Sequence, residues 1–171
     1  SKVGMPSRKL KNILMRYPQT KKKNRRNPNS ENARVIVSGR NYSSNLCMAR
    51  ALGKAGYEVE ILRIFRVRPR RRNILAKFIP DAFSKYVKAF HVCVSRDYEV
   101  IANKLIRLAD PNRKMLLIPA DDFVAEVIDT HYDDLSPYYI MPNIGEKAGG
   151  ILHMMSKVVQ KELATEAGLP V

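Results

Sequence analysis

Residues 34–65, RVIVSGRNYSSNLCMARALGKAGYEVEILRIF, constrain the fold of this chain more than any other stretch, because they read as strand, turn, helix and second strand in unbroken succession. Val35, Ile36 and Val37 form a β-branched run of the kind buried on both faces of a parallel sheet. Gly39 breaks the run, and Asn41, Ser43, Ser44 and Asn45 offer side-chain caps for the next element. Met48, Ala51, Leu52 and Ala55 repeat at the spacing of a helix facing a sheet, and Gly56 suits its left-handed stop. Val59, Ile61, Ile64 and Phe65 then resume a strand, and a strand that returns parallel through a helix does so as a right-handed crossover.

The loop from Ser38 to Ser44 falls at the carboxyl end of the first strand and the amino end of the first helix, where open α/β sheets bind ligands. Gly39, Arg40, Asn41, Ser43 and Ser44 are therefore candidate substrate contacts. The loop lacks the GxGxxG spacing, and Arg63 and Arg66 stand where a dinucleotide site would have an acidic residue, which argues against a dinucleotide. A turn that needs Gly39 only for its backbone explains the same residues.

The rest of the chain extends this unit. Phe90, Val92 and Val94 alternate with Ala89, His91 and Cys93 as a third strand. Ser95 can cap a helix bearing Tyr98, Ile101, Ala102, Leu105, Leu108 and Ala109 on its apolar side. Met115 to Ile118 form a fourth strand, which ends at Asp121 and Asp122. Those carboxylates share the sheet edge of Gly39, so they either contact a polar ligand or cap the helix carrying Val124, Val127 and Ile128. Tyr138 to Ile140 make a last strand, and the element order predicts a Rossmann-like α/β fold, mostly parallel, with about five strands and helices on both faces.

Charge marks what lies outside that domain. The net charge of +15 is concentrated in residues 1–33, with ten Lys or Arg against one acid, and in residues 63–72, with six Arg and no acid. The remainder balances at 15 of each sign, so the domain itself is neutral. Within the extension, Leu10, Ile13, Leu14 and Tyr17 recur as a short basic amphipathic helix that packs on its own domain, on a neighbouring copy or on lipid. Gln19 to Asn32 is polar enough to read as a flexible linker. The run Arg66 to Arg72 is a solvated or anion-facing connection, and the absence of interleaved aromatics weighs against an RNA-binding face. Ile74 to Tyr86 reads as a partly helical crossover interrupted at Pro80. Two cysteines, Cys47 and Cys93, make neither a disulfide framework nor a metal quartet and are expected to be buried and reduced. No apolar run is long enough to span a bilayer, so a cytoplasmic location is the expectation.

The closing segment MMSKVVQKELATEAGLPV, from Met154, resembles the ATP-grasp superfamily. In that family a Rossmann-like pre-ATP-grasp domain ends in a strand and a helix. A Lys then opens the helix that leads through a Gly-Leu/Ile-Pro-Val turn into the nucleotide-binding domain. Lys157 stands at that Lys, Gly168 to Val171 match the turn, and Ser156 replaces a common Asp. LLIPADDFVAEVIDTHYDDL, Leu116 to Leu135, and the opening VIVSGRNYSSNLCMARALGKAGYEV are similar to the family's strand and helix patterns. The resemblance implies three parts: a basic extension (1–33), a pre-ATP-grasp domain (34–153) and the start of an ATP-grasp domain (154–171).

The nearest likeness is to carbamoyl-phosphate-synthase-like and other carboxylate-amine ligases. These activate a carboxylate as an acyl phosphate with ATP and magnesium and pass it to a nitrogen nucleophile. By the resemblance Lys157 contacts ATP, and the loops at Gly39 and Asp121 touch the carboxylate or amine substrate. A solvated helix residue is the other reading of Lys157. The adenine pocket, second phosphate-binding Lys and magnesium ligands would belong to a C-terminal ATP-grasp domain beyond Val171, so no catalytic residue and no metal ligand is expected within these residues, and the fragment alone is expected to be inactive. A homodimer is a candidate assembly. Two other functions remain open: nucleic-acid or polyanion binding through the basic segments, and a small-ligand or nucleotide-sugar domain working through the Gly39 loop alone.

Overall fold

The computed structural model describes residues 33–66 and 80–169. The expected N-terminal helix and linker, most of the arginine run, the crossover as far as Ile79, and Pro170 and Val171 lie outside them. Five strands, β1 (Arg34–Gly39), β2 (Glu58–Phe65), β3 (Val87–Val94), β4 (Met115–Pro119) and β5 (Tyr139–Ile140), form one sheet in the order β3-β2-β1-β4-β5. Every pairing is parallel. Parallel neighbours need crossovers, and the helices that supply them cover both faces of the sheet.

On one face, α1 (Tyr42–Lys54) joins β1 to β2 and packs over Val35, Val37, Val59 and Ile61. On the other, α2 (Tyr98–Ile106) and α3 (Asp122–Thr130) cover Ile36, Leu62, Ile64 and Leu117, with α2 joining β3 to β4 and α3 following β4. A short helix, α4 (Tyr132–Leu135), precedes β5, and α5 (Gly150–Met155) and α6 (Lys157–Glu166) follow it. Consecutive residues of β1 feed opposite cores, which is why its run of apolar residues is continuous rather than alternating. Each wholly buried aliphatic side chain contributes about 1.5–3 kcal/mol from area removed from water. The α/β class, the five strands and the helices on both faces agree with the sequence, and the sheet is entirely parallel rather than mostly so.

Three local expectations need correction. The buried stripe of α1 runs through Asn45, Met48, Ala49 and Leu52, while Ala51 and Ala55 are exposed. Asn45 draws the helix round because its amide is bonded inside the core. In β3, Cys93 is buried as expected, while Val92 and Val94 are exposed, since β3 is an edge strand and one of its faces is poorly covered near its end. Asp97, not Ser95, caps α2 by accepting from the Glu99 amide, and Ser95 accepts from the Asp97 amide one step earlier. Cys47 is exposed, one position round the helix from the buried stripe.

The tail is anchored by a residue that carries no sequence signal. Asp129 of α3 is fully buried, and its two oxygens accept from the amides of Ile151 and Leu152, at 3.1 and 2.9 Å. A carboxylate thereby caps α5 from another helix, meeting its unpaired N–H groups and positive end. Downstream, α6 packs on α5. It stops at Gly168, whose φ of +70 permits bonds from the Gly168 amide to Thr165 and from the Leu169 amide to Ala164. That paired pattern is the left-handed helix stop that glycine makes at least cost.

Candidate functional site

The winding of the sheet reverses between β1 and β4. From β1 the chain turns to α1 on one face, and from β4 to α3 on the other, so the two loops part at the carboxyl edge, the place where open α/β sheets take ligands. Two bonds join the loops there: the Ala120 amide donates to the Ser38 carbonyl at 2.7 Å, and the Arg40 amide to Asp121 Oδ2 at 2.6 Å. Gly39 is pressed between Asn45 and Ala120. A Cβ there would lie 2.5 Å from Asn45 Oδ1 and 2.8 Å from the Ala120 Cβ, so lack of a side chain is a packing requirement at this position.

The sequence candidates at this edge come together, with differing uses. Asn41 caps α1, its Oδ1 accepting from the Ser43 amide at 3.0 Å and the Ser43 hydroxyl at 2.9 Å. Ser44 is half-buried on the first turn. Asp121 takes the Val124 amide on one oxygen, as the cap of α3, and Arg40 on the other, through its amide and, at 3.4 Å, its Nε. Both oxygens are therefore engaged, and the capping alternative is the one its bonds fill. Asp122 is exposed in the first turn of α3. The Arg40 guanidinium lies 4.6 Å from the Phe123 ring centre, Phe123 meets Tyr98 edge-on, and the Tyr98 hydroxyl donates to Glu126 at 2.6 Å.

Beneath the Gly39 loop on the α1 side lies a cluster that sequence reasoning did not assemble. Arg63, aligned with Gly39 in the sheet register, is 5% exposed, and Asn45 and Asp81 are wholly buried. Arg63 Nη1 donates to Asp81 Oδ2 at 3.2 Å, and Asn45 Nδ2 donates to the same oxygen and to the Gly39 carbonyl, each at 3.3 Å. Asp81 arrives on the 3-10 turn Pro80–Phe83, which packs against α1. The Arg63 guanidinium lies 6.0 Å from the Tyr42 ring and 5.3 Å from the Phe65 ring. Burial pushes the Asp81 carboxyl up and the Arg63 guanidinium down, and their attraction only partly offsets it. Arg63 was visible in the sequence as a basic residue near the end of β2, but nothing local marked its partner.

Lys157 stands apart from this edge in the chain's organisation. It is exposed at the first position of α6, and Ser156 makes no side-chain cap bond there. One lysine does not cradle a triphosphate. Among the described residues no three His, Cys, Asp or Glu side chains come together as a metal site. A dent of about 340 Å³ lies elsewhere, between α2 and α4, lined by residues that include Glu99, Asn103, His131 and Asp134. Nor, among the described residues, is any helix long and apolar enough to cross a membrane. No protein-family model matches this sequence, and no curated protein or solved structure is significantly similar to it.

Proposed function

We propose that this chain is the amino-terminal, Rossmann-like domain of a cytoplasmic, ATP-dependent carboxylate-amine ligase of the ATP-grasp type, acting through an acyl phosphate. The observation that carries the reading is an order of elements. Strand β4, Asp121 as the cap of helix α3, then α4, strand β5, α5 and the closing helix α6, opened by Lys157 and stopped at Gly168, succeed one another in an order that fits the family resemblance. In this reading the β1/β4 edge holds a small substrate, and Lys157 reaches ATP bound with magnesium on an adjoining ATP-grasp domain.

The division of labour is physically reasonable. Phosphoryl transfer depends on several cations and donors fixed around the phosphates, which a single exposed Lys cannot supply. The residues of the β1/β4 edge instead bind and orient. The local helix stop at Gly168 accounts for that glycine without any nucleotide, so weight falls on Lys157. The test is to express the complete reading frame and measure ADP release with magnesium-ATP against a panel of amino acids and carboxylates. Acceptor-dependent ADP formation that falls at least tenfold in Lys157→Ala supports the ligase. A complete product that neither binds nor cleaves ATP overturns it.

A further inference from the structure

The Asn45, Arg63 and Asp81 cluster is only half used by its own bonds. A buried guanidinium paired with a carboxylate ordinarily makes two parallel hydrogen bonds, but here one nitrogen meets one oxygen. Among the described residues, Arg63 Nε, Asp81 Oδ1 and Asn45 Oδ1 are shut off from solvent and have no hydrogen-bond partner. Buried polar groups are rarely left so, and three on mutually bonded side chains is a concentration that packing alone does not explain. Their chemistry is mixed: one needs an acceptor, the other two need a donor.

We propose that Asn45, Arg63 and Asp81 form a recognition subsite for a small zwitterion of the α-amino-acid type, its carboxylate taken by Arg63 and its ammonium by Asp81 and Asn45. Such a ligand supplies both missing partners from adjacent atoms. The charge balance favours it over a plain anion, because the Arg63–Asp81 and Arg40–Asp121 pairs cancel and an added phosphate would face two carboxylates. Position agrees as well: Arg63 lies two residues before the end of β2, aligned with Gly39, near the edge where such sheets bind ligands. Tyr42, 41% exposed, and Phe65 flank the guanidinium and offer apolar walls for a substrate side chain. The Asp81 side chain has no exposure and that of Arg63 only 6%, so binding requires the Pro80–Phe83 turn to move aside.

The inference deepens the ligase reading by naming the substrate class of its sheet edge, yet binding to this chain needs no ATP. The experiment is titration of the 15N-labelled 171-residue chain with L- and D-amino acids, with acetate, methylammonium and inorganic phosphate as controls, read by amide shifts and calorimetry. At least one amino acid should bind saturably and shift Asn45, Arg63 and Ala82, with the three controls at least tenfold weaker. Arg63→Lys keeps a cation opposite Asp81 and the fold, but loses the forked geometry and should weaken binding at least tenfold. Asp81→Asn, with the same shape and no charge, should do likewise. The subsite is overturned if no amino acid binds, if acetate or phosphate binds equally well at the same residues, or if both variants, folded by their amide spectra, bind as the parent does. Amino-acid binding here without ATP cleavage by the complete product would sink the ligase and leave the subsite standing. ADP formation without binding at Arg63 would do the reverse.

Discussion

Asp81 and Asp129 both lie wholly out of solvent, in different regions of the chain, and differ in how far their oxygens are satisfied. Asp129 receives a backbone amide of α5 on each oxygen and ties the tail helices to α3. Asp81 receives Arg63 and Asn45 on one oxygen and, among the described residues, no hydrogen bond on the other. The first carboxylate is complete as a structural element, whereas the second keeps hydrogen-bonding capacity in reserve at the edge of the sheet. Equal burial therefore does not mean equal purpose; saturation separates a structural group from one poised for a ligand.

The strongest way to break that comparison is to remove Arg63. Arg63→Met leaves Asp81 buried without its cation and should cost about 4 kcal/mol in urea denaturation. The double variant Arg63→Met with Asp81→Leu should recover most of the loss, since buried ion pairs are often replaceable by apolar residues. A double variant as unstable as the single one would mean that the pair supports the fold, and the contrast would fail.

Asp129→Ala comes next, at about 3 kcal/mol, because two amides at a helix start lose charged acceptors at once. No apolar partner can restore them, so a loss well below 1 kcal/mol would show that α5 does not rely on this cap.

The smallest effect is a difference in pH dependence. Burial raises the Asp81 carboxyl above its ordinary value of 3.8, so the folded state holds the proton more tightly. That contribution is present below the unfolded value and is lost as pH rises through the folded one, so the parent should lose ground to Asp81→Asn above about pH 3.8. Glu60 works in the opposite sense. Burial would raise it, but His91 at 2.9 Å and Arg34 at 2.6 Å hold it below its ordinary 4.5. Its stabilisation is present above the unfolded value and is lost as pH falls through the folded one, so Glu60→Gln should flatten the acid limb of the stability curve. Parallel profiles for the two variants would remove the electrostatic basis of the contrast.

The parts of the fold legible in the sequence rest on local signals. Val35 to Val37 and Met115 to Ile118 read as buried strands because each run is continuously apolar, and both became neighbouring central strands. Asn41 and Asp121 were legible as caps because a cap bonds an amide two or three residues on. The edge at which β1 and β4 hand over to their helices could be placed for the same reason, as strand ends meeting helix starts. Less legible was which side of β3 faces the core, because alternation gives two faces and only the neighbours decide between them. Val92 and Val94 took the open side of an edge strand and Cys93 the buried one.

What the sequence by itself determined was the succession of strands and helices, with its turns and caps, because periodicity and capping act over a few residues. Tertiary structure decided the strand order and the fates of the buried charges. Arg63 meets Asp81 across 18 positions, Asn45 meets it across 36, and Asp129 reaches Ile151 across 22. A charge can leave water only where a partner is waiting, and such partners are set by which loops the folded sheet brings to one edge.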